Sequence, residues 1–149
     1  MNAAELIELY AAYGGSIDAA DWDAWLGLFA AECRYRIVPR ENFDRGLPAG
    51  LVFCDSRAML EDRIMALQEA NKYNIHWDRH LIGLPRRVGE ASVEAAFAVY
   101  QTDQEGESRL FATGLYRDGV VSEGGRLKFR DKLVLLDTFA VPSLLSTPL

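Results

Sequence analysis

Two histidines, two cysteines and one strand-borne aspartate carry most of the chemical potential of this 149-residue chain. His76-x-Asp78-x-His80 offers two imidazoles and a carboxylate, and on a strand these three side chains share a face. That is the donor set of a mononuclear non-haem iron site. With Cys33 and Cys54 added, the chain also holds the two Cys and two His of a mixed-ligand iron–sulfur cluster. The cysteines stand alone, however, one in a strand and one in a loop, without the paired spacing of cluster-binding loops. Turn-region histidines beside Trp77 and Arg79 are more often packing or interface groups. No metal site is assigned.

Asp131 is the other candidate. Over Arg126–Asp137, Leu127, Phe129, Asp131, Leu133 and Leu135 alternate with Lys128, Arg130, Lys132 and Val134, which puts Asp131 on the apolar face. A carboxylate in an apolar pocket has a raised pKa, the usual tuning of a general acid or base. Tyr35, Tyr100 and Tyr116, or His80, could complete an acid–base site. The plainer reading pairs Asp131 with an Arg from a neighbouring strand, for instance Arg109 or Arg117, or places it at a bulge where the alternation slips, and it is preferred. Gly-x-Ser-x-Gly is absent, neither cysteine has an activating neighbour, and Gly46–Gly50 lacks the glycine pattern and Lys of a phosphate loop. Trp22 and Trp25 read as core rather than as a ligand stripe.

The elements that must position these residues run from helix to strand. Leu6, Ile7, Leu9, Tyr10 and Tyr13 have helical spacing over residues 3–13, and Gly14-Gly15 reads as the stop. Ser16 or Asp18 can cap a second helix, Asp18–Ala30. From Glu32 to Val38 the period becomes two, with Cys33, Tyr35 and Ile37 against Arg34 and Arg36. Segment 39–54 reads as loop. Asp55 or Ser56 caps a helix to Ala70 with Met59, Leu60, Ile64 and Leu67 on one face. Strands follow at 79–88, 92–103, 108–118 and 126–138, with turn residues at Gly89-Glu90, Gln104–Gly106, Asp118-Gly119 and Gly124-Gly125. Helices first and strands after predict one α+β domain over 1–149: a curled antiparallel sheet forming a cone, with the N-terminal helices on its concave face.

Composition excludes several classes. Half the residues are hydrophobic and 26% charged, a globular balance. A net charge of −6 argues against a nucleic-acid groove. No apolar run reaches the ~20 residues of a membrane helix, and Met1–Glu5 lacks the order of a secretory signal. Two cysteines make no disulfide framework, so the expected compartment is the cytoplasm.

The most distinctive block is Gly46-Leu47-Pro48-Ala49-Gly50-Leu51-Val52-Phe53-Cys54-Asp55-Ser56, then Met59–Ile64, Glu69-Ala70-Asn71-Lys72-Tyr73, Arg79-His80 and Gly83-Leu84-Pro85. With the strand Phe111–Tyr116 and the apolar ending Val141–Leu149, this order resembles the small (β) subunits of bacterial aromatic-ring-hydroxylating oxygenases. Many members carry an Asn a few residues after the Arg-His pair. Leu84 holds that place here, which points to the branch acting on aromatic carboxylates such as terephthalate.

The resemblance implies the cone shared with ketosteroid isomerase, scytalone dehydratase and nuclear transport factor 2. It also implies a trimer of small subunits beneath a trimer of large (alpha) subunits, an α3β3 hexamer. The Rieske 2Fe-2S cluster and mononuclear Fe(II) belong to the large subunit, which a reductase supplies with electrons. No catalytic, cofactor-binding or metal residue is carried over to this chain, and a stand-alone lyase or isomerase using Asp131 is the alternative. Phe111, Leu115, Val134 and Leu136 read as apolar residues on the face opposite the core set, hence as a second buried surface. Trp77, Arg79, Arg86 and Arg87 are the expected interface contacts.

Overall fold

The structure is a computed structural model and describes residues 1–47, 50–137 and 147–149. Helix α1 (Ala3–Asp18) opens with a capping box: the Asn2 side chain accepts from the Glu5 backbone N–H, and the Glu5 carboxylate accepts from the Asn2 N–H. It buries Leu6, Leu9, Tyr10, Tyr13 and Ile17. The helix passes through Gly14-Gly15 rather than ending there. A Cβ at Gly14 would lie 3.0 Å from Ile82 Cδ1 and 3.1 Å from His80 Cβ, so this glycine permits a close helix–sheet approach instead of a stop. The chain turns at Ala20, φ 53°, and Asp21 caps the short α2 (Trp22–Gly27) by accepting from Ala24 N–H. Neither Ser16 nor Asp18 is that cap. Ser16 Oγ donates to the Tyr13 carbonyl, and Asp18 reaches His80.

Strand β1 (Phe29–Pro39) begins inside the span expected to be helical and buries Cys33, Tyr35 and Ile37, as their alternation predicts. The expected loop 39–54 contains α3 (Arg40–Asp44) and β2 (Val52–Cys54). Ser56 caps α4 (Arg57–Ala70), whose Leu60, Ile64 and Leu67 are buried while Met59 faces outward. Strand β3 (Trp77–Ile82) and the two-residue β4 (Arg86–Arg87) replace the single expected strand 79–88. Then come β5 (Ser92–Thr102), β6 (Ser108–Glu123) and β7 (Arg126–Leu136). Asp118-Gly119 is no turn: β6 runs through it, Gly119 opposite Asp131. The reversal waits for Gly124 and Gly125, both at positive φ, the backbone a two-residue hairpin needs. Of the apolar ending, only residues 147–149 fall among those described.

Among the described residues the sheet has seven strands in the order β2-β1-β7-β6-β5-β3, with β4 beside β5. It is curled and unclosed, with α1 packed across β3 and β7. The pairing of β1 with β7 is parallel, a correction to the all-antiparallel expectation; the other pairings are antiparallel.

A bulge in β7 decides which residues enter the cone. Gly119 pairs with Asp131 and Val120 with Phe129, leaving Arg130 as the extra residue. Alternation therefore slips by one. Phe129 faces inward, but the inward set then continues as Lys132, Val134 and Leu136, while Asp131, Leu133 and Leu135 turn outward. Val134, Leu136 and Phe111 thus belong to the main core and not to an outer surface. The outer face keeps a smaller cluster, Val38, Leu133 and Leu135. On that side α3 packs against β1 and β7, and the Arg117 guanidinium lies over the Phe43 ring.

Candidate functional site

The cone interior is an aromatic core built around one ion pair. Trp25 packs edge-on against Phe29 (4.8 Å between ring centroids) and Tyr35 (5.6 Å), Tyr13 against Phe129 (5.4 Å), and Phe97 stacks on Tyr116 at 4.2 Å. Such pairs contribute about 0.5–1.5 kcal/mol each beyond the area they bury. Into this core the bulge delivers Lys132. Its Nζ lies 2.7 Å from Asp118 Oδ2, with both side chains fully buried. The ammonium also sits 3.2 Å from the Tyr116 ring centroid and 4.4 Å from that of Tyr13. Asp118 accepts further hydrogen bonds from Tyr10 OH and from Leu133 N–H.

Burial raises the Asp118 carboxyl above its usual range, against the pull of Lys132 and the hydrogen bonds. Burial likewise draws Lys132 down to about 8, against the attraction of Asp118. An amine lowered in this way is a feature of base and Schiff-base lysines. Here it is enclosed by rings with no exposed surface, so its chemistry is that of a structural pair.

Tyr35 and Tyr116 do lie inside the cone, as a cavity reading requires, whereas Tyr100 is on the outer face. Tyr13 OH and Tyr35 OH both donate to the Leu149 carbonyl oxygen, and Leu149 N–H donates to Tyr35 Oη, so Leu149 occupies interior space beside them. Burial pushes the phenols of Tyr10, Tyr13, Tyr35 and Tyr116 above their ordinary range.

The His-x-Asp-x-His motif does not converge. His80 points inward, its Nδ1 2.6 Å from Asp18 Oδ1, while its backbone N–H donates to Asp18 Oδ2 at 2.9 Å. His76 precedes β3 and pairs with Asp78 at 3.3 Å. Cys33 and Cys54 are buried free thiols on the adjacent strands β1 and β2, both raised by burial. Among the described residues no group of three or more His, Cys, Asp or Glu is placed to hold a metal ion.

Asp131 is not in an apolar pocket. It faces outward, where Arg34 Nη2 lies 2.6 Å away and Arg130 Nε 3.1 Å. Burial pushes its carboxyl up, but these two guanidiniums outweigh that and hold it below the usual carboxylate value. Arg109 and Arg117, the expected partners, are engaged by Gln101 and Glu94. Both halves of the plainer reading hold: Asp131 sits beside the bulge and pairs with an Arg of a neighbouring strand, Arg34 of β1 rather than Arg109 or Arg117, and the acid–base reading of Asp131 loses its premise. The buried ion pair of the core, Asp118 and Lys132, is what residue patterning missed. Strict alternation puts Lys132 outside, and its one visible signal was a lysine next to the apolar run Leu133–Leu136.

Trp77 and Arg79 are exposed on the outer side of β3. Arg86 and Arg87 are also exposed, Arg86 Nη2 3.2 Å from Glu94 and Arg87 donating to the carbonyls of Gly89 and Glu90.

Residues 2–132 match the SnoaL-like domain family. The chain is 38% identical to the anthranilate 1,2-dioxygenase small subunit of Burkholderia cepacia, over 97% of this chain and 92% of that one. It is 35% identical to a terminal oxygenase β subunit (beta 2) of terephthalate 1,2-dioxygenase from Comamonas sp, over 100% and 99%. A crystal structure described as the β subunit of an aromatic-ring-hydroxylating dioxygenase of Novosphingobium aromaticivorans superposes with a TM-score of 0.89 at 36% identity, covering 99% of this chain and 96% of that one. With a family match over most of its length and relatives aligned end to end, this chain belongs to the SnoaL-like domain family and, within it, to the small (β) subunits of aromatic-ring-hydroxylating dioxygenases.

Proposed function

We propose that the chain is the non-catalytic β subunit of a Rieske-type dioxygenase acting on an aromatic carboxylate, and that it serves assembly. The observation that carries this reading is its full-length likeness to the small subunits of two dioxygenases whose named substrates, anthranilate and terephthalate, are both aromatic carboxylates. The interior supports a structural role as well: Asp118 and Lys132 are bonded to each other, and aromatic rings fill the space around them. In this reading three copies form a trimer under three large subunits in an α3β3 hexamer of the cytoplasm. The Rieske cluster and the mononuclear iron reside on the large subunit, which a reductase feeds with electrons. Trp77, Arg79, Arg86 and Arg87 contribute to the contacts. Among the described residues no helix is long and apolar enough to cross a membrane.

The test is co-expression with a Rieske-type large subunit. Light scattering of the purified pair gives the stoichiometry, and turnover of anthranilate, terephthalate and benzoate gives the substrate class. A chain that stays monomeric and never joins the large subunit at micromolar concentration defeats the proposal. Assembly with turnover only of uncharged aromatics defeats its carboxylate part alone.

A further inference from the structure

His76 stands in the turn between α4 and β3 with a hydrogen-bond acceptor against each ring nitrogen. Its Nδ1 is 2.8 Å from the Asn74 carbonyl oxygen, and its Nε2 is 3.3 Å from Asp78 Oδ2. A neutral imidazole carries one N–H, so whichever tautomer it adopts it satisfies only one of these acceptors. The imidazolium satisfies both. We infer that His76 is a proton-operated latch: protonated, it ties the 71–76 turn to the start of β3, and deprotonated, it lets one of those two ties go.

Several features make the latch consequential. The side chains of His76 and Asp78 are only 9% and 10% exposed, so the pair is largely shielded from bulk solvent. Asp78 is held from β5 by Gln101 Nε2 at 3.4 Å, and Gln101 is itself held by Arg109 of β6. From α1, Asp18 lines the same cavity of about 340 Å³ and adds negative charge, although its carboxylate is engaged by His80. The hydrogen bond from His76 to Asp78 raises the imidazole above its ordinary 6.5, with the Asp78 charge and the Asn74 carbonyl adding to it and burial opposing. A group raised on folding contributes its stability fully below the unfolded value and loses it as pH climbs through the folded one. The latch is therefore closed at pH 6.5 and below, and it opens on the alkaline side. What it releases is the segment that presents Tyr73, Ile75 and Trp77, all more than half exposed.

The chain has two histidines, so both imidazole C–H resonances can be followed by NMR in the sequentially assigned wild type. The expected result is a His76 midpoint above 6.5 that falls in Asp78→Asn. Amide exchange over residues 72–77, corrected for its intrinsic pH dependence, should quicken severalfold as pH rises through that midpoint. His76→Gln should abolish the step. A wild-type midpoint at or below 6.5, or exchange at 72–77 with no step, overturns the latch. Both readouts need only the wild-type protein, so a variant that fails to fold leaves the test decisive.

Discussion

Replacing Lys132 with methionine tests whether the cone is held together as described. Met fills a similar volume but leaves Asp118 fully buried with two of its three hydrogen bonds, those from Tyr10 and Leu133, and no counter-charge. Removing one partner of a buried pair costs about 3–5 kcal/mol, because the other charge is stranded. For a chain of this length that corresponds to a fall of about 10 °C or more in Tm. The second step removes the stranded charge. In Lys132→Met/Asp118→Asn, the new side-chain amide oxygen at position 118 can still accept from Leu133 N–H, so the double variant should recover about 1.5 kcal/mol or more over the single.

The pH dependence gives a third arm. Asp118 is already raised by burial, and losing Lys132 raises it further. A carboxyl raised on folding destabilises more as pH climbs through its folded value. The gap between wild type and Lys132→Met should thus be wider at about pH 7 than at about pH 4. Urea melts followed by tryptophan fluorescence measure all three. A single variant within about 1 kcal/mol of wild type, or a double no better than the single, refutes the reasoning.

Three further outcomes are expected. Gly114→Ala places a methyl onto the Leu135 carbonyl oxygen and 2.9 Å from Phe97 Cε1, so β6 and β7 must part; a loss of about 3 kcal/mol or more, seen as lost soluble yield or a collapsed thermal melt, should follow. Asp131→Asn should cost at most about 1 kcal/mol at pH 7, its ion pairs being partly solvated. Because the carboxyl is lowered on folding, that difference is full above the unfolded value of 3.8 and shrinks as pH falls from there through the lower folded value, so urea melts should show it smaller at about pH 3 than at about pH 7. Trp77→Ala/Arg79→Glu should leave the isolated chain's melting curve within about 0.5 kcal/mol of wild type, since both side chains face outward. The same variant should weaken association with itself or with the large subunit in light scattering.

How much of this was legible in the sequence depends on how local each determinant is. Cys33, Tyr35 and Ile37 alternate within one strand, and Ser56 precedes a helix with Leu60, Ile64 and Leu67 on one face, so their burial followed from period and cap alone. Gly14 and Gly119 misled because their signal is ambiguous. The same residue that breaks a helix also permits close packing, and only the position of Ile82 and His80 says which applies. Asp131 and Lys132 exchanged faces because one extra residue, Arg130, reverses every side chain beyond it. That bulge is a property of pairing with β6 and β1, which no window on β7 contains. Asp118, masked by an apparent turn dipeptide, went unnoticed for the same reason.

The edges of the sheet carry a consequence for how copies of this chain can meet. An unclosed sheet offers backbone donors and acceptors to any passing strand. Here one edge ends in β2, only three residues long, and the other is overlaid by α1, whose Asp18 carboxylate takes up the His80 N–H. Strand-by-strand addition, which can repeat without limit, thus finds only a three-residue strand at one end and, at the other, an edge whose His80 N–H is already taken. Association through side-chain surfaces has no such open repeat: its complementarity is finite and can close into a ring of fixed number.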